Sequence, residues 1–376
     1  MTGAAPAGPR HTSSQLDRTL IGLVAAGLEG RRDALVGGLP ADGDALLRAG
    51  GRTLLLTALG PALDRLGLAP DPAAHQTLAA ATFLNADRND TLLRQIEEVA
   101  AGLNAVGIVP MIIKGGCHLI TGLWSDPGAR FVGDIDLLLP PGSGAAALAA
   151  MPEGCRAIED DWHVPDLIAA TKHLPAVHKP GWEAAVELHT AVVDLPYAAL
   201  IPTAGLFQRA REVRLGAAAL LLPAPGDQAL IAMLHGPIGH ETYRAPALMP
   251  RDLVDLALLR ARHGPAIDWP ALQAGLRRQG WGALCAIQNR MFRDVLGVAG
   301  PFAPPTAREA LSAWRWFRQL DTTPWRRLGA VWARVHKMGW LILRGPSVRR
   351  YYLHKLTRAR TYREAWASLA GLPGRR

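Results

Sequence analysis

An apolar run interrupted by two aspartates constrains this chain more than any other feature. Residues 132–139 read Val-Gly-Asp-Ile-Asp-Leu-Leu-Leu, with Asp134 and Asp136 among aliphatic neighbours. The run predicts a strand, 132–139. Side chains two residues apart on a strand point to one face, which places the two carboxylates within about 7 Å of each other. On a buried strand such a pair requires a cation, because an uncompensated buried charge is costly. The alternative is two solvated acids at an exposed sheet edge.

The segment before these aspartates has a regular order. Residues 108–114, apolar up to the final Lys114, predict a buried strand. Gly115-Gly116 predicts a turn, and about 117–124 predicts a short helix. A Gly-Gly pair lets the backbone come close to a phosphate, and a helix that follows presents its N-terminal N–H groups to it. The pair serves equally in any tight turn between a strand and a helix.

Further acids follow in a predicted antiparallel hairpin. Lys-Pro-Gly-Trp at 179–182 is a turn signal between two β-compatible runs. The second strand, 185–192, carries Glu187 and His189 on one face. Should the register differ, the third carboxylate would come from another acid: Glu183, Asp160 or Asp161.

The remaining chain is helical in pattern. Apolar spacing of three and four residues predicts three or four helices over 14–106 and further helices after residue 226. The expected architecture is α/β (α+β), a small mixed sheet flanked by helical regions from both ends. We divide the chain into five regions. They are a disordered N-terminus (1–13), an N-terminal helical region (14–106), a sheet core (107–225), a C-terminal helical region (226–310) and a basic tail (311–376).

The net charge of +9 is concentrated in the tail. Residues 311–376 contain 15 Lys and Arg, against Asp321 and Glu364, and six of the 11 tryptophans. A Trp- and Arg-rich segment suits a membrane surface, a nucleic-acid backbone or an acidic protein partner. The alternative is a helical appendage that packs its tryptophans on the main body and leaves its arginines in water.

Composition excludes several classes. The chain has 376 residues, 49% of them hydrophobic, and three scattered cysteines without a disulfide or zinc pattern, which suits a cytoplasmic protein. No signal peptide or apolar run near 18 residues is visible. Phosphate-loop, serine-hydrolase and dinucleotide motifs do not occur in a fitting context.

Two other groups of polar residues are weaker candidates for a functional site. His235 and His240 are five apart, so on an α-helix their side chains point about 140° away from each other and share no metal. Zinc is therefore not expected. Asp252 and Asp255 lie in an amphipathic helix, and a solvated face is expected for them. The alternative for Asp255 is an inward role in holding the loop near the aspartates.

Taken together, these motifs resemble those of the nucleotidyltransferase fold shared with DNA polymerase beta, and more narrowly those of a bacterial family of uncharacterised nucleotidyltransferases. The resemblance covers about 85–259. It depends on Ile-Lys-Gly-Gly at 113–116, Asp-Pro-Gly-Ala-Arg at 126–130, Asp-Ile-Asp-Leu-Leu at 134–138, Val-Glu-Leu-His at 186–189, and Leu-His-Gly at 234–236 followed by Leu-Val-Asp-Leu at 253–256. It implies a metal-dependent transfer of a nucleoside monophosphate from a nucleoside triphosphate (NTP), with pyrophosphate as leaving group.

Such chemistry assigns a role to each residue. Two Mg²⁺ ions, or Mn²⁺, would stabilise the entering and leaving oxygens. Asp134 and Asp136 would hold the nucleotide-side metal, with Glu187 completing the other; Glu187 or a metal-bound hydroxide would take the acceptor's proton. Lys114 and Arg130 are candidate phosphate contacts, with a solvated strand end and a surface pair with Asp126 as their alternatives.

His189 is a candidate substrate contact or, alternatively, a hydrogen-bonded structural histidine. The acceptor is a hydroxyl or phosphate on a small molecule, a peptide or protein, or RNA, the last as in a toxin-like enzyme that modifies tRNA. Two other functions remain open. One is an inactive relative that senses nucleotide or holds a partner, and the other is a kinase-like phosphotransferase on the same fold. The presence of all three carboxylates favours an enzyme.

Overall fold

The computed structural model describes residues 13–31, 42–157, 172–244 and 246–322, with a few isolated positions between 328 and 349. Within these ranges, no helix combines the length and the apolar character that crossing a membrane requires. Asp160 and Asp161, nearly all of the predicted N-terminus and most of the basic tail lie outside the described residues, so the expectations for them stay predictions.

Four helices occupy the N-terminal part of the described chain: α1 (Ser13–Glu29), α2 (Gly43–Thr53), α3 (Leu56–Leu66) and α4 (Pro72–Ala105). Helix α4 begins with a cap in which the Asp71 carboxylate accepts the N–H groups of Ala73 and Ala74 at 3.1 and 3.0 Å. Pro72 follows at the first helical position, where its missing N–H costs nothing. Asp71 and Pro72 therefore determine where α4 begins. Helix α4 is the helix whose side chains bind the backbone beside β2 and β5.

Seven strands form one mixed sheet with the spatial order β3-β4-β5-β2-β1-β7-β6. They are β1 (Met111–Ile112), β2 (Asp134–Leu138), β3 (Arg156–Ala157), β4 (Val177–His178), β5 (Ala185–His189), β6 (Arg211–Leu215) and β7 (Ala218–Leu222). Strand β2 is central, antiparallel to β1 and parallel to β5. The mixed sheet with helices from both ends confirms the predicted α/β (α+β) fold class.

Two short helices follow strands near the centre of the sheet. Helix α5 (Lys114–Thr121) follows β1, and α6 (Gly144–Ala149) follows β2. The prediction of a Gly-Gly turn followed by a helix from about residue 117 is wrong in detail, because Gly115 and Gly116 already belong to the first turn of α5. Strand β1 is correspondingly shorter than the predicted 108–114.

The β6–β7 hairpin was not predicted. Its strands pair antiparallel from Arg211 with Leu222 to Leu215 with Ala218, around a two-residue turn in which Gly216 has a φ of 54°. Strand β7 also pairs parallel with β1. The composition of β7 did not indicate a strand, because alanine and leucine favour helices in isolation. Strand β7 is stabilised by its two neighbouring strands, which bury it.

The C-terminal helices complete the fold. After the hairpin come α8 (Pro225–Leu234), α9 (Pro250–His263), α10 (Trp269–Arg278), α11 (Ala283–Asp294) and α12 (Ala307–Asp321), while α7 (Thr203–Arg209) precedes β6. Helix α1 packs against α9 as well as α3, so buried residues from both ends of the chain, such as Val24 and Leu256, share one core. A second core lies between α4 and the sheet, with Ile96 and Val186 among its members.

Candidate functional site

The site lies where β2 and β5 run side by side. Their parallel register pairs Asp136 with Glu187 and Leu138 with His189. Because strand side chains alternate between faces, Asp134, Asp136, Glu187 and His189 all project to the same side of the sheet. The predicted hairpin of β4 and β5 is present, with Val177 opposite Val186, and its register puts Glu187 beside the aspartates.

Three of these side chains converge on a common point. One ligand atom from each of Asp136, Glu187 and His189 lies within 4.8 Å of the others. Nε2 of His189 is 2.7 Å from Oδ1 of Asp136 and 3.2 Å from Oε2 of Glu187. Nδ1 of His189 lies 3.3 Å from the Ala191 carbonyl, to which its N–H donates. Nε2 thus faces both carboxylates, and its chemistry allows it either to donate a hydrogen bond to them or to coordinate a cation held among them.

The donor set fits a divalent cation. Carboxylate oxygens are the ligands that Mg²⁺ and Mn²⁺ prefer, and an imidazole nitrogen is a common ligand for transition metals. Burial alone would raise the pKa of Asp136, but Lys114 and His189 hold it well below its usual range. Despite burial, the hydrogen bond from His189 lowers the pKa of Glu187 to about 2. Both groups are therefore ionised at neutral pH, as metal ligands must be.

Asp134 is not one of these three residues, but the charges of Asp136, Glu187 and Lys114 act on it. Its pKa is raised by loss of hydration and by the neighbouring charges of Asp136 and Glu187, which outweigh the effect of Lys114. The ionised form of Asp134 is thus disfavoured in the metal-free protein. Additional positive charge near these carboxylates would relieve this repulsion, as the predicted role of Asp134 in binding metal requires.

Lys114 supplies part of that positive charge. It is the first residue of α5, with an unusual φ of 53° for a residue other than glycine, and its Nζ lies 2.5 Å from Oδ1 of Asp136. Burial lowers the pKa of Lys114, but Asp136 more than compensates and raises it above its usual value. Backbone strain of this kind persists where surrounding structure enforces it and often marks functional sites. The alternative of a solvated strand end is wrong, because the side chain is only 12% exposed.

Gly115 and Gly116 have a packing reason to be glycine. A Cβ atom on Gly115 would lie 3.1 Å from the Val132 side chain, and one on Gly116 would lie 2.7 Å from Cδ1 of Ile112. Both glycines therefore let α5 pack closely on the sheet. Their contact with a phosphate stays a prediction that depends on backbone N–H groups rather than on open space at the missing side chains.

Arg130 is held in a buried network instead of on the surface. Its Nε and Nη2 donate to the two carboxylate oxygens of Asp255 at 3.1 and 2.7 Å, and its Nη1 donates to the Phe131 carbonyl at 2.7 Å. Nε1 of Trp124 donates to the same Asp255 carboxylate at 2.6 Å. The expected solvated face for Asp255 is wrong, since its residue is 3% exposed. Asp126, the alternative partner of Arg130, instead accepts the N–H of Gly128.

Helix α4 fixes the backbone on both sides of the carboxylates. Asn85 and Asn89 donate to the carbonyl of Arg130 at 3.2 and 3.0 Å, in the loop that leads into β2. Ten residues beyond Asn85, Gln95 donates to the Ala184 carbonyl at 2.7 Å, directly before β5. One helix thus fixes the backbone of both strands that carry the carboxylates. The polar residues on the buried face of α4 were the available sequence signal for this role, which was not predicted.

The prediction that the side chains of His235 and His240 point away from each other is also wrong. A π-helical turn, His235–Gly239, follows α8 and has five residues where an α-turn has four. It brings Nε2 of His235 to 3.1 Å from Nε2 of His240. Pro237 and two glycines in this segment, Gly236 and Gly239, were the available signal that regular α-geometry would not continue.

The depressed pKa of Glu187 predicts a specific acid sensitivity. A carboxyl group with a lowered folded-state pKa contributes stability above its unfolded pKa and loses it as pH falls through the folded value. For Glu187 this window runs from 4.5 down to about 2. We expect the free energy of unfolding of Glu187→Gln to fall less between pH 5 and 3 than that of the unaltered protein, as measured by urea unfolding in metal-free buffer.

Glu183 provides the matched control for this measurement. It lies just before the same strand, its side chain is 43% exposed, and it meets Arg88 only at 3.6 Å. Glu183→Gln should retain the pH dependence of the unaltered protein. Equal slopes for the unaltered protein and Glu187→Gln would show that the contact between His189 and Glu187 does not stabilise the metal-free fold.

Comparison with known proteins identifies one family. The model of a family described as "Uncharacterised nucleotidyltransferase" matches residues 40–297, which include helix α4, every carboxylate of the site and the histidine pair. A search of curated proteins finds no match. The family match covers well over half of the chain and agrees with the resemblance noted in its motifs.

Proposed function

Because the chain belongs to this family of uncharacterised nucleotidyltransferases, we propose that it is a Mg²⁺-dependent enzyme that transfers a nucleoside monophosphate from an NTP to a hydroxyl or phosphate acceptor. Pyrophosphate is the leaving group. The observation that carries the proposal is the pairing of Asp136 with Glu187 on adjacent parallel strands, with His189 behind them.

The carboxylates are the proposed metal ligands. Asp134 and Asp136 would bind the cation on the nucleotide side, and Glu187 the cation on the acceptor side. When bound, the cations neutralise the phosphate charge and lower the pKa of the attacking hydroxyl. A pKa of about 2 makes Glu187 a weak base at neutral pH, so its proposed part is to hold and orient rather than to keep the acceptor's proton. His189, fully buried, orients both carboxylates from behind.

The start of α5 is the proposed phosphate-binding element. Ile113 precedes the helix and offers no side chain to cap its first N–H groups, which therefore stay available to an anion. Gly115 and Gly116 contribute N–H groups there. Nζ of Lys114 contacts Asp136. If Asp136 binds a cation, the Lys114 side chain would be free to contact a phosphate oxygen of the substrate instead.

Arg130 has a different place in the proposal. Its three nitrogens already meet Asp255 and the Phe131 carbonyl, which favours a role in holding the loop before Asp134. Arg251 also donates to the Phe131 carbonyl, at 3.0 Å, and the charge of Asp134 acts on it. We propose that Arg251 reaches the substrate phosphates in place of Arg130. A cytoplasmic location suits an enzyme that draws on NTPs.

The assay for this proposal follows the products. The full chain is incubated with each of four radiolabelled NTPs, Mg²⁺ or Mn²⁺, and a lysate as the source of acceptor. We expect pyrophosphate release and a labelled product that disappear in the double variant Asp134→Ala/Asp136→Ala, and the labelled species identifies the acceptor class. A nucleoside diphosphate as product would instead establish the kinase-like reaction. Nucleotide binding with no product from either protein would support the inactive sensor.

A further inference from the structure

A cationic group that the proposed chemistry does not use lies beside the carboxylates. The Lys172 carbonyl accepts the N–H groups of Thr190 and Ala191 at 2.8 and 3.0 Å, which ties Lys172 to the end of β5 next to His189. Among the described residues, no hydrogen bond or ion pair reaches its Nζ within ordinary distance. The side chain extends from β5 toward the π-helical turn, where Nζ comes close to Gly239.

The histidine pair lies on the other side of Gly239. Asp252 is bound at 2.8 Å to Nδ1 of His235, which fixes the proton on that nitrogen. Nε2 of His235 then carries a lone pair and accepts the N–H from Nε2 of His240 at 3.1 Å. His235 is half-buried and His240 is exposed. The pair therefore connects the Asp252 carboxylate with solvent.

Gly239 leaves a notch between these groups. A Cβ atom added there would lie 3.7 Å from Cδ2 of His235 and 3.7 Å from Nζ of Lys172. Both are ordinary van der Waals distances, so the notch has room for an additional group in contact with the imidazole and the ammonium. A side chain on residue 239 would fill this space.

The charges of two lysines act on the groups around the notch. Partial burial, His235, Lys172 and Lys114 lower the pKa of His240 to about 4, against the opposing effect of Asp252. Burial and the charge of Lys114 also lower the pKa of Lys172, although Asp136, Glu187 and Asp194 oppose them. The Lys172 ammonium nevertheless lies at the notch itself, 3.7 Å from the position of the added Cβ atom. Such a place repels a metal ion and attracts an anion.

We propose that Lys172, His235 and His240 form an anion subsite that takes a phosphate group at Gly239, next to the carboxylates of β2 and β5. The assignment of that phosphate to a substrate depends on the proposed function, whereas phosphate binding itself does not. Two sources present the same chemistry: the outer phosphates of the NTP, or a phosphate already carried by the acceptor.

Binding at this subsite should be coupled to proton uptake. The histidine pair directs one N–H to Asp252 and one to His235, and so offers none to an anion. For the histidine pair to donate a hydrogen bond to a bound phosphate, the pair must take up a proton. The charge of Asp252 favours this uptake, and the charges of Lys172 and Lys114 oppose it. We expect an uptake of up to about one proton per bound phosphate at neutral pH.

Calorimetry on the full chain tests the subsite without turnover. Inorganic phosphate and pyrophosphate are titrated in the presence of EDTA, in two buffers of different ionisation enthalpy. We expect affinity to fall at least about tenfold in Lys172→Ala, His240→Ala and Gly239→Ala, with proton uptake lost in His240→Ala. Gly239→Ala is the sharpest variant because it retains every charge and adds only a methyl group.

Two exposed pairs elsewhere supply matched controls. Lys179 pairs with Glu98 at 2.7 Å, and His75 meets Asp64 at 3.4 Å. Lys179→Ala and His75→Ala should bind phosphate as the unaltered protein does. The subsite is refuted if the unaltered protein binds neither anion, or if Gly239→Ala and Lys172→Ala bind them undiminished while circular dichroism shows both variants folded.

A second titration distinguishes the two sources. With Mg²⁺ and a non-hydrolysable NTP, weaker binding in Gly239→Ala would assign the phosphate to the nucleotide. Unchanged nucleotide affinity together with weaker binding of inorganic phosphate would assign it to the acceptor. If the nucleotidyl-transfer assay gives no product while these phosphate effects remain, the proposed function fails and the subsite stands.

Discussion

Asp136→Asn should reduce nucleotidyl transfer by at least about a thousandfold, which corresponds to about 4 kcal/mol of transition-state stabilisation. Asparagine occupies the same space but removes the negative charge at the point where His189 and Lys114 converge. A cation held by carboxylates depends on that charge. The measurement is the rate of label transfer at saturating Mg²⁺, together with Mn²⁺ affinity determined by electron paramagnetic resonance.

The same substitution should also weaken the metal-free fold. It leaves Lys114, whose side chain is 12% exposed, without its anionic partner, and breaking a buried pair in this way costs about 3–5 kcal/mol. Transfer must therefore be compared at a temperature where both proteins are folded, as checked by circular dichroism. A folded Asp136→Asn protein with near-normal transfer would contradict the site.

Asp134→Asn separates the two effects. Its raised pKa shows that the negative charge of Asp134 is unfavourable in the metal-free protein, so removing it should leave stability unchanged or slightly increase it. Transfer should nevertheless fall if Asp134 binds metal. Lost transfer with retained stability in Asp134→Asn, beside loss of both in Asp136→Asn, is the pattern expected of metal ligands that differ in burial.

Local sequence patterns predicted the centre of the site better than its surroundings. Alternation with a period of two placed Asp134 and Asp136 on one face, and a turn signal placed Glu187 on a strand, because these properties depend on neighbouring residues. The pairing of Asp136 with Glu187 could be expected only from the family resemblance, since strand register across about 50 residues leaves no local trace.

Long-range contacts explain what the sequence did not reveal. Arg130 and Asp255 are 125 residues apart, and nothing near either residue indicates their pairing. The residues of β7 favour a helix, but pairing with the two neighbouring strands outweighs this preference. The π-helical turn at His235 adds one residue to a helical period, and an argument from regular geometry could only give the wrong angle for His240.

Asp255→Ala should lower the free energy of unfolding by about 3–5 kcal/mol, as much as Asp136→Asn. The change leaves the Arg130 guanidinium buried without its carboxylate, and Nε1 of Trp124 without an acceptor. Urea unfolding measures the loss. Asp227→Ala is the matched control: Arg209 makes a similar two-nitrogen contact with Asp227, but its side chain is 53% exposed and returns to water.

The double variant Arg130→Met/Asp255→Leu tests the cause of this loss. Apolar side chains of similar volume remove both charges together, so much of the stability lost in Asp255→Ala should return. Transfer should not return with it, because the Phe131 carbonyl loses its bond from Arg130 and the loop before Asp134 is less firmly held. Recovery of both stability and transfer would show that the buried pair only fills space. Recovery of stability alone would show that the pair positions the strand that carries Asp134 and Asp136.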